Sequence, residues 1–319
     1  PAEQTPYVAS QAIALLHAAG VPEHALQLLN GPGETVGAEL ILQANVAGVV
    51  FTGSTQVAKI IHRALANKEG PIVPLIAETG GINAMIVDST ALPEQVCDSV
   101  IQSAFRSAGQ RCSALRLLCV HEEIADKVID MIAGATQELV VGDTSHLATD
   151  VGPVIDAEAF ENIQAHLAKL ASRAKSLLPV LANGHTVNSF DATVAHLMSP
   201  QAYEVQNIAD VKQEIFGPVL VVMKYDNEQD LIAQANDSCF GLAAGIWTES
   251  YRKAWRIARA LEVGTVWINT YKKFSISAPF GGFKDSGIGR EKGRLGILSY
   301  MQQKSIYIGL NEQPNSWCD

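Results

Sequence analysis

The feature that most restricts how this chain can fold is its repeated alternation of short apolar runs with helical patterns. Apolar runs occur at 47–51, 72–77, 83–87, 115–120, 218–224, 242–247 and 265–269. Helical periodicity occupies 8–19 and 35–43, then 55–66, 93–107, 124–138, 157–172, 228–236 and 251–261. Short strands apolar on both faces, separated by helices, mark a mostly parallel, doubly wound sheet, because the crossover helices cover both faces. The pattern therefore predicts an α/β protein. Ser54 or Thr55 is expected to cap the helix that follows the first run. The stretch 181–200 is irregular and its edges cannot be placed. The run 304–309 alternates as an exposed or inter-subunit strand should.

Bulk properties remove several function classes. A chain of 319 residues can bury a sizeable core as two domains or one large one. Its net charge of −10 argues against nucleic-acid binding and against an anionic membrane surface. No apolar run approaches the roughly 20 residues that span a bilayer. Pro1 has no methionine, signal peptide or basic leader before it and is expected to be a cut end. The five cysteines (Cys97, Cys112, Cys119, Cys239 and Cys318) lack paired spacing. An odd, scattered set fits a reducing compartment, so a cytoplasmic setting is expected. The eight histidines form no metal-ligand spacing, and no metal site is expected.

Two short motifs carry the chemistry. Gly109-Gln110-Arg111-Cys112-Ser113 sets a cysteine among small residues, and Glu78-Thr79-Gly80-Gly81 sets a carboxylate beside two glycines. A thiolate that attacks a carbonyl and a carboxylate that later activates water form a complete acyl-transfer pair. An unperturbed thiol has a pKa of about 8.5, so the nucleophile needs a positive or dipolar environment, from Arg111 or from backbone amides. Taken alone, such a cysteine is more often a small core residue. Cys97, Cys119 and Cys239 are expected to be structural and largely buried.

Weaker signals suggest a nucleotide. A strand running into Thr52-Gly53-Ser54-Thr55 and then a helix makes a phosphate site, with amides at the helix start and a glycine permitting close approach. Gly31-Pro32-Gly33 is a turn or a remote variant of a glycine-rich loop. Glu3 could accept hydrogen bonds from a ribose 2′-hydroxyl and would repel a 2′-phosphate. Lys212-Gln213-Glu214-Ile215-Phe216-Gly217-Pro218 could offer a carboxylate to a ribose and an aromatic face to a nicotinamide. Each of these also has an ordinary reading as a cap, a turn, a surface acid or a core aromatic.

With Pro279-Phe280-Gly281-Gly282 and Ser286-Gly287, these motifs in this order resemble the NAD(P)-dependent aldehyde dehydrogenase superfamily. The resemblance spans nearly the whole chain. It implies the aldehyde dehydrogenase fold: part of a Rossmann-like NAD domain at 1–79, an α/β catalytic domain at 80–285, and a return segment with an oligomerisation strand at 286–319. It implies NAD as cofactor, an aldehyde as small-molecule substrate, and a homo-oligomer, dimer or tetramer. By motif, Cys112 would be the nucleophile and Glu78 the general base. Gly31, Gly53 and Ser54 would lie along the cofactor, with Ser54 on its pyrophosphate. Glu3 would bind the adenosine ribose and Glu214 the nicotinamide ribose. Phe216 and the Thr79 carbonyl would flank the nicotinamide. In the family, residues ahead of the position of Pro1 supply an adenosine-binding lysine and an oxyanion asparagine, so the chain is expected to be incomplete for activity.

The substrate signals divide. Residues 8–155 resemble the glutamate-semialdehyde (pyrroline-carboxylate) dehydrogenase module of proline utilization A, through Ala58, the run 77–88 and the run 103–116. In that subfamily the serine at the position of Ser113 helps hold the substrate carboxylate. The second holder is a glycine-rich loop, replaced here by Thr270-Tyr271-Lys272-Lys273-Phe274-Ser275-Ile276-Ser277-Ala278. Residues 200–319 resemble general aldehyde dehydrogenases. Ser113, Ser275 and Ser277 would serve a carboxylate, whereas Tyr271 and Phe274 would line an apolar tunnel. The resemblance favours oxidation of glutamate semialdehyde to glutamate in proline catabolism. The alternatives are a general aliphatic or aromatic aldehyde dehydrogenase and a non-catalytic structural or assembly module.

Overall fold

Leu115–His121 is the apolar strand around which the larger sheet of this computed structural model is built; residues 1–178 and 196–310 are described. In chain order the first elements are α1 (Pro6–Ala18), α2 (Ala38–Leu42), β1 (Val49–Thr52), α3 (Thr55–Ala66), β2 (Leu75–Glu78) and β3 (Asn83–Val87). Next come α4 (Pro93–Val100), β4 (Leu115–His121), α5 (Glu122–Gln137), α6 (Ala157–Ala171), β5 (Lys175–Ser176), β6 (Gln201–Val205) and β7 (Val219–Tyr225). The chain continues through α7 (Glu228–Asn236), β8 (Phe240–Gly241), β9 (Ala243–Trp247), α8 (Tyr251–Ala260) and β10 (Thr265–Ile268). It ends in β11 (Phe283–Lys284), β12 (Gly287–Ile288) and α9 (Gly293–Leu298).

The expected mostly parallel sheet is present. Seven strands run in the order β10-β9-β3-β4-β7-β6-β5, parallel except for β5. Every residue of β3 and β9 is buried, as are Leu115 to Val120 of β4. Phe105, Met85, Leu117 and Leu118 lie at its centre, each about 1% exposed or less. Burying side chains of this size contributes roughly 1.5–3 kcal/mol apiece, and that core is what holds the site rigid. A second, smaller sheet pairs β1 with β2 in parallel, and β12 returns antiparallel to β2, placing Gly287 opposite Glu78. The chain changes sheets between Glu78 and Asn83. Residues before β2 bury little: α1 buries none and α3 buries Ala58 and Leu65.

Several boundaries differ from expectation for physical reasons. The segment 72–77 becomes a strand only at Leu75, because Pro74 has no N–H and its carbonyl instead accepts from Val49. The helix expected at 93–107 ends at Val100, passes through a π-helical turn at Ile101–Phe105, and breaks at Ser107 and Ala108, both left-handed. That break returns the chain to the sheet immediately before Cys112. The helix expected at 35–43 starts as a π-helical turn at Gly33–Gly37. The run 304–309 makes no ladder with any strand among the described residues and is exposed, since a strand forms only where an edge is available to pair with it. Strands β5, β6, β8, β11 and β12 and helix α9 were not legible in the pattern. Of the irregular stretch 181–200, residues 181–195 lie outside the described residues.

Gly109 sits at the tightest of these points. Its φ is +69°, and a Cβ there would collide with the Gly217 carbonyl. Gly109→Ala is expected to destabilise the protein by more than about 2 kcal/mol, combining left-handed strain with a backbone collision. Thermal or denaturant unfolding checks this; an unchanged midpoint would show that the loop is free to move.

Candidate active site

The parallel pair β1 and β2 ends with Gly53-Ser54 and Thr79 side by side, at the carboxyl edge where open α/β sheets hold ligands. Ser54 caps α3: its Oγ accepts from the Val57 N–H at 3.2 Å. The Gly53 N–H donates to the Glu78 carbonyl at 3.1 Å. Thr79 is buried, its N–H donating to the Ser286 carbonyl at 3.1 Å and its hydroxyl to the Asp285 carbonyl at 2.6 Å. Lys59 of α3 bonds Asp285 as well, at 2.9 Å, so the return segment closes this edge. Elsewhere in the N-terminal region, the Glu3 carboxylate accepts from the Gly33 N–H at 2.7 Å, beside Gly31 in its turn. That bond holds Glu3 below its ordinary pKa.

Cys112 follows the broken helix and precedes β4. Asn83, the first residue of β3, pegs this loop from below: its Nδ2 donates to the Cys112 carbonyl at 2.7 Å and to the Ala114 carbonyl at 2.8 Å. Its Oδ1 accepts from the Ala243 N–H, so this buried amide is fully used. Cys112 is half-buried. Burial pushes its thiol up, and the Glu214 and Glu78 carboxylates add to the rise. The N–H groups of Ser113 and of Cys112 itself oppose it. Arg111, a candidate source of positive charge, is exposed instead, because the turn carries it outward while Cys112 faces the core.

Glu78 is 2% exposed, and neither carboxyl oxygen has a hydrogen-bond partner among the described residues. Burial is the main reason its pKa rises to about 8, with Glu291 adding and Arg290 opposing. A carboxyl of that kind is poised near neutral pH, as a general base should be. Glu214 lies over Gly80, is pushed up by burial, and is partly restored by the Arg116 guanidinium 3.6 Å away. Its Oε1 has no hydrogen-bond partner among the described residues. Phe216 is 43% exposed and stacks against Arg116, whose Cζ lies 5.3 Å from the ring centroid.

Of the expected substrate residues, Ser113 is buried beside the thiol. Tyr271 is buried against Trp267, with its hydroxyl unpartnered among the described residues. Phe274 is half-exposed, edge-on to Trp267 and Phe280, with the Lys292 ammonium 4.5 Å from its ring centroid. Ser275 and Ser277 stay on the surface, where the Ser275 hydroxyl accepts from the Ser277 N–H at 3.2 Å. Cys97 and Cys119 are buried as expected, but Cys239 is exposed, because it lies in the turn between α7 and β8. No cluster of metal-ligating side chains occurs among the described residues.

Cys112, Glu78, Glu214 and Tyr271 thus share one cluster with two residues that the motifs did not single out, Arg116 and Lys272. Arg116 carried a signal, being a charge inside an otherwise apolar strand; Lys272 carried another, as a charge in the Lys-Lys-Phe loop that replaces the glycine-rich holder. The groups present fit a nicotinamide dinucleotide. A capped helix start, an unpartnered buried carboxylate oxygen on Glu214, and a Thr79 carbonyl that accepts no hydrogen bond among the described residues all lie along the route from β1 to Cys112.

The chain belongs to the aldehyde dehydrogenase family, whose model matches residues 1–306. Among curated relatives, the bifunctional protein PutA of Klebsiella aerogenes is 45% identical over 303 residues, covering 92% of this chain and 23% of that protein. Phenylacetaldehyde dehydrogenase of Pseudomonas fluorescens is 34% identical, covering 97% of this chain and 60% of that protein. Among solved structures, a Bradyrhizobium japonicum proline utilization A variant superposes with a TM-score of 0.83 at 46% identity, over 92% of this chain and 29% of that one. Indole-3-acetaldehyde dehydrogenase of P. syringae, in complex with NAD+ and IAA, gives 0.90 at 32% identity, over 97% and 62%. The chain spans about a quarter of the length of the PutA proteins it matches. The likeness to PutA runs across both the front and the rear of the chain.

The raised pKa of Glu78 makes stability depend on pH. Between 4.5 and about 8 the folded protein keeps a proton that the unfolded chain has lost, so stability falls as pH rises through that window. Glu78→Gln removes this dependence. The variant is expected to gain in melting temperature relative to the unsubstituted protein from pH 5 to pH 8, with no further gain above. Melting curves at four pH values decide it; a difference independent of pH would contradict a buried, proton-holding Glu78.

Proposed function

We propose that this chain carries the catalytic part of an NAD-dependent aldehyde dehydrogenase that oxidises glutamate semialdehyde to glutamate, as in proline catabolism. The observation that carries the reading is the buried Glu78 carboxyl, unpartnered among the described residues and poised near neutrality, in the same charge cluster as the Cys112 thiol. The Cys112 thiolate adds to the aldehyde carbon and makes a carbon–sulfur bond, leaving an oxyanion near the backbone amides of the nucleophile loop. When bound, a nicotinamide would supply the acceptor for the hydride that the substrate carbon loses as its carbonyl re-forms. Glu78 then takes a proton from water, which attacks the resulting thioester, and the carbon–sulfur bond breaks to release carboxylate and thiol. Glu78 must be ionised for that step, so turnover rises with pH toward about 8.

Glu3, Gly31, Gly53, Ser54, Thr79, Glu214 and Phe216 would hold the dinucleotide, and Glu3 favours NAD by meeting a 2′-phosphate with like charge. Ser113 would bind the substrate carboxylate, and Tyr271 and Phe274 would form the tunnel wall. Residues 1–79 would belong to the cofactor domain, 80–285 to the catalytic domain and 286–319 to the return segment. The exposed Ile306, Tyr307 and Ile308 support pairing of 304–309 with a second copy. A cytoplasmic setting is supported by the free state of the four described cysteines. No helix among the described residues is long and apolar enough to cross a membrane.

Glu78→Gln in the full-length protein is expected to keep the first acyl-enzyme burst and to slow steady-state turnover by ~10²–10⁴-fold. Stopped-flow NADH absorbance separates the two; a burst lost together with turnover would assign Glu78 to an earlier step. NAD reduction should be faster with glutamate semialdehyde than with an aliphatic aldehyde of equal length. Ser113→Ala should lower kcat/KM several-fold for the carboxylate-bearing aldehyde alone, since a charge-assisted bond contributes about 1.5–3 kcal/mol. Equal losses on both substrates favour the general aldehyde dehydrogenase reading, and no reduction of NAD with any aldehyde favours a structural module.

A further inference from the structure

Lys272 stands close to the nucleophile, yet the reaction above gives it no task. Its backbone is left-handed, with φ +53°, an unfavourable conformation for a residue with a side chain. The surrounding loop is pinned in that shape. Trp267 Nε1 donates to the Lys273 carbonyl at 2.7 Å, and Tyr271 is wedged between Trp267 and Gly245. The Lys272 side chain consequently turns inward, and its Nζ donates to the Ser103 carbonyl at 2.9 Å. Ser103 is itself buried in the π-helical turn that leads to the nucleophile loop. One neutral carbonyl is the only hydrogen-bond partner of this ammonium among the described residues. The charged groups around it are Arg106, Arg111 and Arg116, all cations, together with Cys112.

Cys112 has the converse deficit. Burial and both facing carboxylates, Glu214 and Glu78, oppose its thiolate, and two backbone N–H groups favour it. Arg116 also faces the thiol, but its N–H groups are directed to the carbonyls of Gly217, Gly109 and Arg111 and its charge to Glu214. Tyr271, the remaining titratable neighbour, is held neutral by burial. An uncompensated cation therefore lies within electrostatic reach of an uncompensated acid. Bringing two such groups into one partly dry site favours the charged pair over either charge alone.

We propose that Lys272 is the counter-charge of the Cys112 thiolate, a positioning residue that acts through the nucleophile. The inference rests on Cys112 being the nucleophile and on no particular substrate. Burial and the three arginines bring the Lys272 ammonium down to about 8. Its support for the thiolate is therefore present below that pH and is lost as pH rises through it.

The test is alkylation of the purified full-length protein by iodoacetamide from pH 6 to pH 10, read at Cys112 by peptide mass spectrometry with exposed Cys239 as internal reference. Lys272→Met is expected to slow Cys112 about tenfold at pH 7 and to raise its midpoint by about one unit. The deficit should close well above pH 8, and Lys272→Arg should keep the unsubstituted rate at pH 7. A Lys272→Met profile that overlays the unsubstituted one overturns the proposal, as does Lys272→Arg slowing as much as Lys272→Met. Lys272→Gln covers a Met variant that does not fold: it must show the same deficit at pH 7, closing well above pH 8. A Lys272→Gln profile that overlays the unsubstituted one also overturns the pairing. Failure of every aldehyde as substrate, with these shifts intact, would remove the proposed oxidation and leave the pairing standing.

Discussion

The active-site cluster depends on one buried guanidinium. Arg116, 3% exposed, donates to the Gly217 carbonyl at 2.9 Å and to the Gly109 carbonyl at 2.6 Å, and lies 3.6 Å from Glu214. Its planar fork can serve several acceptors at fixed angles, which a lysine ammonium cannot do. Through these contacts a residue of the central strand β4 ties the turn before Cys112 to the segment that carries Glu214 and Phe216. Removing it would leave Glu214 as a buried carboxylate without its cation, and breaking a buried pair in this way costs several kcal/mol.

Around that anchor, charges are arranged so that none is at rest in its ordinary state. Burial raises Glu78, Glu214 and the Cys112 thiol and lowers Lys272. Two carboxylates and two cations interact with the sulfur, so the protonation of each group depends on its neighbours. Such perturbation is frequent where a side chain must change protonation during a reaction. A structural ion pair elsewhere in the molecule shows the contrast. Asp88 is met by Lys253, Thr90 and Thr248, and its pKa falls to about 2, a carboxylate fixed in one state.

The protein also separates rigidity from adaptability. The seven-stranded sheet and its buried side chains fix Asn83 and Arg116, which belong to the most buried strands, β3 and β4, and Asn83 in turn holds the Cys112 carbonyl. The region before β2 buries few residues, and its contribution to the site comes through strand ends and one capped helix. Gly109 and the left-handed Ser107 and Ala108 form the joint between the two demands, turning the chain between the helical segment that ends at Phe105 and the strand that begins at Leu115.

The sequence by itself determined the α/β class, the parallel sheet, a helix cap at Ser54 or Thr55, and the two motifs around Glu78 and Cys112. These are local: period-two and period-3.6 patterning and capping chemistry act over a few residues and survive in one dimension. The two-residue strands β8, β11 and β12 lay beyond that reach, since so short a segment holds only because a partner edge is already in place. The turn at Ile101–Phe105 was equally hidden, because its cause is the packing of Ala104 and Phe105 in the core. Tertiary structure alone decided that Arg111, adjacent to Cys112, points outward, while Arg116, buried in β4, and Lys272, far along the chain, act on the sulfur. The reason is that charge acts through space and burial: which cation meets the thiol is set by the folds of three separate segments, and no residue spacing encodes it.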